Sequence, residues 1–132
     1  HYWNQSLKYI GYGGKGKQVR DLLHVDDLVE LIDYQIHNIE KFEGKVYNVG
    51  GGLENSASLQ EMTAICEKIT GNTIQIDEVA ETRTADLRIY ITDNSKIETE
   101  IGWKPKKSVE VIFRDIYNWI KENEKQLESI LK

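Results

Sequence analysis

Two arginine–acid pairs fall where this sequence is least periodic. Arg20-Asp21 follows the glycine run Gly11-Tyr12-Gly13-Gly14-Lys15-Gly16, and Arg83-Thr84-Ala85-Asp86-Leu87-Arg88 occupies a charged stretch with neither helical nor strand spacing. A guanidinium is a planar fork that holds phosphate oxygens two at a time, and a neighbouring carboxylate fixes its direction. One such pair alone is an ordinary surface ion pair. Two arriving from separate loops can converge into a clamp for a diphosphate.

Other chemical patterns are weaker. Gly11 to Gly16 spells GxGxxG, and Gly11 to Lys17 spells GxxxxGK. The first needs a following helix whose N-terminus meets a pyrophosphate, and the second needs a Ser or Thr hydroxyl for magnesium. Here Lys17 to Val25 reads as extended and Gln18 stands where the hydroxyl belongs, so neither a self-contained dinucleotide site nor a P-loop is expected. Tyr117 and Lys121 have YxxxK spacing on a helix rich in Lys and Glu, where a surface lysine beside a half-buried tyrosine is the expectation. His24, His37 and Cys66 lack metal-ligand spacing, so no metal site is expected. Cys66, the one cysteine, falls on the apolar face of a helix and reads as core; a reducing compartment is the natural setting.

The elements that position these groups follow from periodicity. Leu7 to Ile10 reads as a short strand entering the glycine turn, and Val19 to Val25 as a second extended piece. Asp27 with Glu30 resembles a capping box, and Leu28, Val29, Ile32, Ile36 and Ile39 keep helical spacing. Val46 to Val49 reads as a buried strand ending at Gly50 to Gly52. Ser58 with Glu61 caps a second helix that Gly71 stops, and Thr73 to Glu78 alternates as a half-exposed strand. Val79 to Asp93 is a charged loop, extended around Ile89 to Ile91. Ser95 to Ile101 is a short helix stopped by Gly102, and Ser108 caps a last helix that continues through the charged tail to Lys132. Alternating strands and helices predict a small mixed α/β domain.

Composition bounds the function. A chain of 132 residues is one domain's worth, and 39% hydrophobic with 30% charged residues belongs to a globular protein. A net charge of −5 argues against nonspecific nucleic-acid binding, which depends on neutralising phosphates. No stretch approaches the ~20 apolar residues of a membrane span, and no signal peptide opens the chain, so no membrane partner is expected and cytoplasm is the expected address. The first residue is His1 and not Met, which reads as a fragment of a longer protein.

Taken in order, Tyr12 to Asp21, His24-Val25-Asp26-Asp27, Tyr47-Asn48-Val49-Gly50, Arg83 to Arg88 with Tyr90 and Asp93, and Gly102-Trp103-Lys104-Pro105 resemble the C-terminal half of extended short-chain dehydrogenase/reductase enzymes that act on nucleotide sugars. Within that family, Gly13 to Asp21 and Asn55-Ser56-Ala57-Ser58-Leu59 are most similar to the CDP-sugar 2-epimerases. The resemblance covers nearly the whole chain, 1–132, as a nucleotide-sugar-binding domain that lacks the Rossmann N-terminal half. It implies that Arg20 and Arg83 contact the diphosphate, that Asp86 arranges ribose or Arg83, and that Tyr12, Gly13 and Gly14 line the base through backbone groups. Gln18 and Asp21 would support the turn, with Arg88 beside the second motif. It also implies NAD in the full-length enzyme and none in this chain, no catalytic residue here, and a nucleotide diphosphate sugar as ligand. The helix after Asp27 and the strand at Val46 to Val49 would pack on the missing Rossmann domain, so homo-oligomer formation is expected. The alternatives are a non-catalytic nucleotide-sugar module, or part of a related dehydratase or reductase.

Overall fold

In the computed structural model, which describes residues 1–131, Leu7–Ile10 forms strand β1, a 3-10 turn follows at Tyr12–Gly14, and Val19–Asp21 forms β2. Helices α1 (Val25–His37) and α2 (Ile39–Phe42), strand β3 (Ser56–Ser58) and helix α3 (Leu59–Thr70) come next. Strands β4 (Ile76–Val79) and β5 (Ile89–Tyr90) lead into helices α4 (Ser95–Ile101), α5 (Val109–Glu122) and α6 (Glu124–Leu131). The fold class is the small mixed α/β arrangement that the sequence predicts.

Two small sheets organise it. In one, β1 and β4 run parallel, with Tyr9 opposite Glu78 and Ile10 opposite Val79. In the other, β2 lies in the middle, antiparallel to β3 and parallel to β5, so Arg20 sits between Ala57 and Tyr90. Helix α3 starts where β3 ends because Ser58 and Glu61 form a reciprocal capping box, and Gly71, at φ 73°, ends it. The first sheet is tied to α3 by Tyr9, whose ring is buried and whose hydroxyl donates to Thr63 Oγ1 at 2.7 Å. The packed interior is completed by Leu31, Phe42, Ala57, Ile97 and Ile112.

The His24-Val25-Asp26-Asp27 motif works as a structural clamp. His24, not Asp27, caps α1: its Nδ1 accepts the N–H of Asp26 at 3.0 Å, and its Nε2 lies 3.3 Å from Asp115 on α5. Asp27 is already inside the helix and only 3% exposed, and its Oδ2 accepts the backbone N–H groups of Lys106 and Lys107, each at 3.1 Å. Lys107 reaches back to Asp26 at 2.8 Å and to Asp115 at 3.4 Å. The expected capping box at Asp27 and Glu30 is therefore corrected. A short-range pattern suggested a cap, but the carboxylate has a long-range partner that spacing cannot reveal.

Three other expectations change. Val46 to Val49 is irregular backbone, with Val46 79% exposed, because no strand among the described residues pairs with it. A strand unseen in the sequence, β3, lies instead at Ser56–Ser58, where pairing to β2 outweighs the poor strand character of Ser-Ala-Ser. The final helix breaks at Asn123, and the expected continuation to Lys132 ends one residue outside the described residues. Cys66 is only half-buried, and that burial pushes its thiol up from its ordinary value.

The expected helix at Asp27 to Ile39 is present as α1 and α2, but its apolar stripe is largely open. Leu31 is buried, whereas Val25, Val29, Ile32, Ile36 and Ile39 are exposed, as is Val46. No helix among the described residues is long and apolar enough to cross a membrane.

Replacing Asp27 by Ala would leave the Lys106 and Lys107 amides without their acceptor and uncouple α1 from α5. The expected loss is ~2–4 kcal/mol, to be read from urea unfolding; a variant within ~0.5 kcal/mol of the parent would contradict this account of the motif.

Candidate functional site

Strands β1 and β2, the start of α3 and the loop between β4 and β5 border an open cavity of about 420 Å³ lined by Lys8, Ile10, Gln18, Arg20, Leu59, Arg83, Ala85 and Asp86. The two arginines that sequence spacing singled out thus come together with Asp86. Arg20 extends from β2, where pairing on both sides fixes its backbone, and its guanidinium is doubly directed. One nitrogen donates to the Val19 carbonyl at 2.7 Å and the other to Asp86 Oδ1 at 3.1 Å. Both partners are partly solvated, so this ion pair contributes orientation more than stability.

Asp86 is itself held from several directions. Its N–H donates to the Arg83 carbonyl at 3.0 Å, its carbonyl accepts the Tyr12 hydroxyl at 2.5 Å, and its Oδ2 lies 3.5 Å from Gln18 Nε2. Tyr12 also donates its backbone N–H to Thr82 Oγ1 at 2.9 Å, so it fixes the loop at two points. The Arg83 side chain, by contrast, has no hydrogen-bond or ion-pair partner among the described residues, and neither has that of Lys8. Three cationic side chains against one carboxylate make the cavity locally positive on a chain whose net charge is −5. An anion of about two charges matches that excess.

The remaining predicted residues lie elsewhere. Tyr12, Gly13 and Gly14 are outside the cavity lining: the Tyr12 side chain braces the Asp86 loop, and Gly14 is packed against β4. Arg88 is exposed, and its carbonyl accepts the Val19 N–H at 2.9 Å. Asp21 accepts the Gly52 N–H at 3.0 Å and hydrogen bonds from Thr92. Partial burial pushes its carboxyl up, but those hydrogen bonds outweigh burial and leave it below its ordinary value. Beside it, Asn94 exchanges two hydrogen bonds with the Gly50 backbone, at 3.1 and 2.8 Å, which explains why Asn48 to Gly52 forms an ordered turn. Lys8, Ile10, Leu59 and Ala85 line the cavity without having been singled out. Strand alternation put Lys8 and Ile10 on one face, but which face meets the arginines depends on the sheet.

The glycine run does not fit a dinucleotide. Strand β2 follows it and no helix does, and a Cβ on Gly14 would stand 2.8 Å from the Val79 nitrogen and one on Gly16 2.6 Å from the Tyr9 ring, so these two glycines serve close packing. Tyr117 stacks near Tyr2 at 5.7 Å between ring centroids and lines a different, mainly apolar cavity of about 310 Å³ with Cys66 and Phe113.

Comparison with known proteins defines the class to which this fold belongs. Residues 4–116 match the GDP-mannose 4,6 dehydratase family model, and the chain belongs to that family. It is 34% identical over 106 residues to CDP-paratose 2-epimerase of Salmonella typhi, covering 80% of this chain and 31% of that protein. It is also 34% identical over 110 residues to UDP-glucose 4-epimerase 2 of Arabidopsis thaliana, covering 82% and 31%. The crystal structure of dTDP-glucose 4,6-dehydratase from Bacillus anthracis in complex with NAD superposes with a TM-score of 0.66 at 29% identity, covering 87% of this chain and 35% of that one. The chain therefore spans about a third of the length of the relatives it matches, and it corresponds to their C-terminal portion.

Because the folded Asp21 carboxyl lies below its unfolded value, its contribution to stability is complete above the usual carboxylate range and is lost as pH falls through the folded value. Asp21→Asn should therefore unfold at lower urea than the parent at pH 7, with the gap closing progressively below about pH 4. An equal gap at pH 7 and pH 3 would show that the charge has no part in holding the Gly52 turn.

Proposed function

We propose that this chain is the nucleotide-sugar-binding domain of a longer, cytoplasmic, NAD-dependent sugar-nucleotide epimerase. The carrying observation is the convergence of Arg20, Arg83 and Lys8 on one cavity, with Asp86 directing Arg20. Arg20 is held in place and the Arg83 side chain has no partner among the described residues, which suits one aligned donor and one that closes on a bound phosphate. The diphosphate is bound by these groups, and Asp86 has lone pairs to spare for a ribose hydroxyl. Tyr12 acts by bracing Asp86, while Gln18, Asp21 and the Gly13-Gly14 backbone shape the surrounding turns. Arg88, at the exposed edge of the second motif, is a candidate for the outer part of the ligand.

Within the family, 2-epimerisation of a CDP-sugar is the assignment we favour, on the similarity to CDP-paratose 2-epimerase. A dehydratase of another nucleotide sugar is the second reading, favoured by the superposition on the dTDP-glucose enzyme. The residues present here do not fit NAD, so a Rossmann portion outside these residues would hold it, and this chain contributes binding and orientation. Anchoring the remote nucleotide positions the sugar for reaction elsewhere.

In the full-length enzyme, Arg20→Ala and Arg83→Ala should each weaken CDP or UDP binding by ~1.5–3 kcal/mol in calorimetry while NAD content stays at the parental level. Retention of parental affinity by both variants would place the diphosphate elsewhere.

The open apolar stripe of α1, together with the exposed Ile39 and Val46, is the surface we assign to the partner portion or to a second copy. The 132-residue chain alone should accordingly self-associate, its apparent mass by light scattering rising with concentration. A monomer at all concentrations that unfolds cooperatively would mean that the stripe needs no cover.

A further inference from the structure

Gln18 lines the charged cavity and is only 4% exposed. Its amide nitrogen is accounted for: Nε2 donates to the Ile10 carbonyl at 2.5 Å and lies 3.5 Å from Asp86 Oδ2. Its amide oxygen is not, since Oε1 is buried and accepts from no group among the described residues. Turning the amide over would set its oxygen against two acceptors, the Ile10 carbonyl and the Asp86 carboxylate, so the surroundings select the orientation with the oxygen left unpaired. A buried acceptor without a donor is destabilising by about the strength of a lost hydrogen bond, and such groups are few in folded proteins.

We infer that Gln18 Oε1 is a specificity-determining acceptor that takes a hydrogen-bond donor from the nucleoside half of the ligand. This rests on the nucleotide-sugar reading above. The phosphates are excluded as its partner because their oxygens are themselves acceptors, and they are drawn to Arg20, Arg83 and Lys8. Ile10, Leu59 and Ala85 give the same cavity apolar walls, and hydrogen bonds to the Ile10 carbonyl and from the Leu59 N–H hold Gln18 among them. Those walls suit the faces of a base or ribose ring. The donor is a neutral O–H or N–H close to the phosphates, either a ribose hydroxyl or a ring or exocyclic N–H of the base. Asp86 beside it supplies a second acceptor, so the pair reads two donors at a fixed separation. Gln18 is thereby more than a support for the glycine turn.

The test uses the full-length enzyme and calorimetry with CDP and UDP, each compared with its 2′-deoxy and 3′-deoxy forms. A base analogue without the N–H donor completes each series: the 4-deaminated pyrimidin-2-one for cytosine and 3-methyluracil for uracil. Removing the donor that meets Gln18 should weaken binding about tenfold. A loss on a deoxy ligand assigns ribose, and a loss on a base analogue assigns the base. Gln18→Met, similar in length but unable to accept, should bind the parent nucleotide about tenfold less tightly and be indifferent to that same deletion. Unchanged ligand ratios between parent and variant overturn the inference while leaving the arginine clamp intact. If the variant does not fold, the parental series still decides: all analogues within twofold of the parent nucleotide overturn it. Failure of CDP and UDP alike to bind would overturn the inference together with the CDP-sugar assignment, and leave the reading as a dehydratase of another nucleotide sugar.

Discussion

The site depends on the double pairing of a three-residue strand. Strand β2 is hydrogen-bonded along both edges, to β3 and to β5, so the directions of its side chains are not free. Successive residues of a strand point to opposite faces. Arg20 therefore enters the charged cavity, while Asp21 serves the glycine turn at Gly52. The two residues read as one ion pair in sequence, yet they have separate partners. Arg20 takes its carboxylate from Asp86, 66 positions away.

Asp86 joins the parts of the cavity. Its carboxylate meets Arg20 with one oxygen and approaches the Gln18 amide with the other, and Tyr12 holds its backbone. A loop without regular structure is thus fixed by three residues from the glycine-turn region. That arrangement fixes the directions of the donors and acceptors that line the cavity. Gly14 and Gly16 belong to the same arrangement: there the turn passes close to β4 and to the Tyr9 ring, where a side chain would collide.

Away from the cavity, the buried Asp27 carboxylate and the His24 cap join α1 to the segment before α5. Charged residues that look available for catalysis are consumed in holding two helices together. The same helix leaves most of its apolar stripe exposed, and Val46 is exposed as well. Helix and would-be strand therefore have apolar character that the described residues do not satisfy.

Local signals in the sequence determined what local chemistry controls. The capping box at Ser58 and Glu61 and the glycine stops at Gly71 and Gly102 follow from hydrogen bonds and steric limits within a few residues, and the strands around Leu7 and Ile76 were legible from residue type and alternation although their ladder joins distant segments. The two arginine motifs were legible because residue type and a break in periodicity marked them. Tertiary structure alone decided the rest, since each remaining choice depends on a partner far along the chain. Strand β3 exists because β2 pairs with it, and Val46 to Val49 stays irregular because no strand among the described residues pairs there. Asp27 became a clamp and not a cap through the amides of Lys106 and Lys107. Lys8 and Gln18 joined the arginines because a sheet face and an amide orientation are set by what lies across the fold.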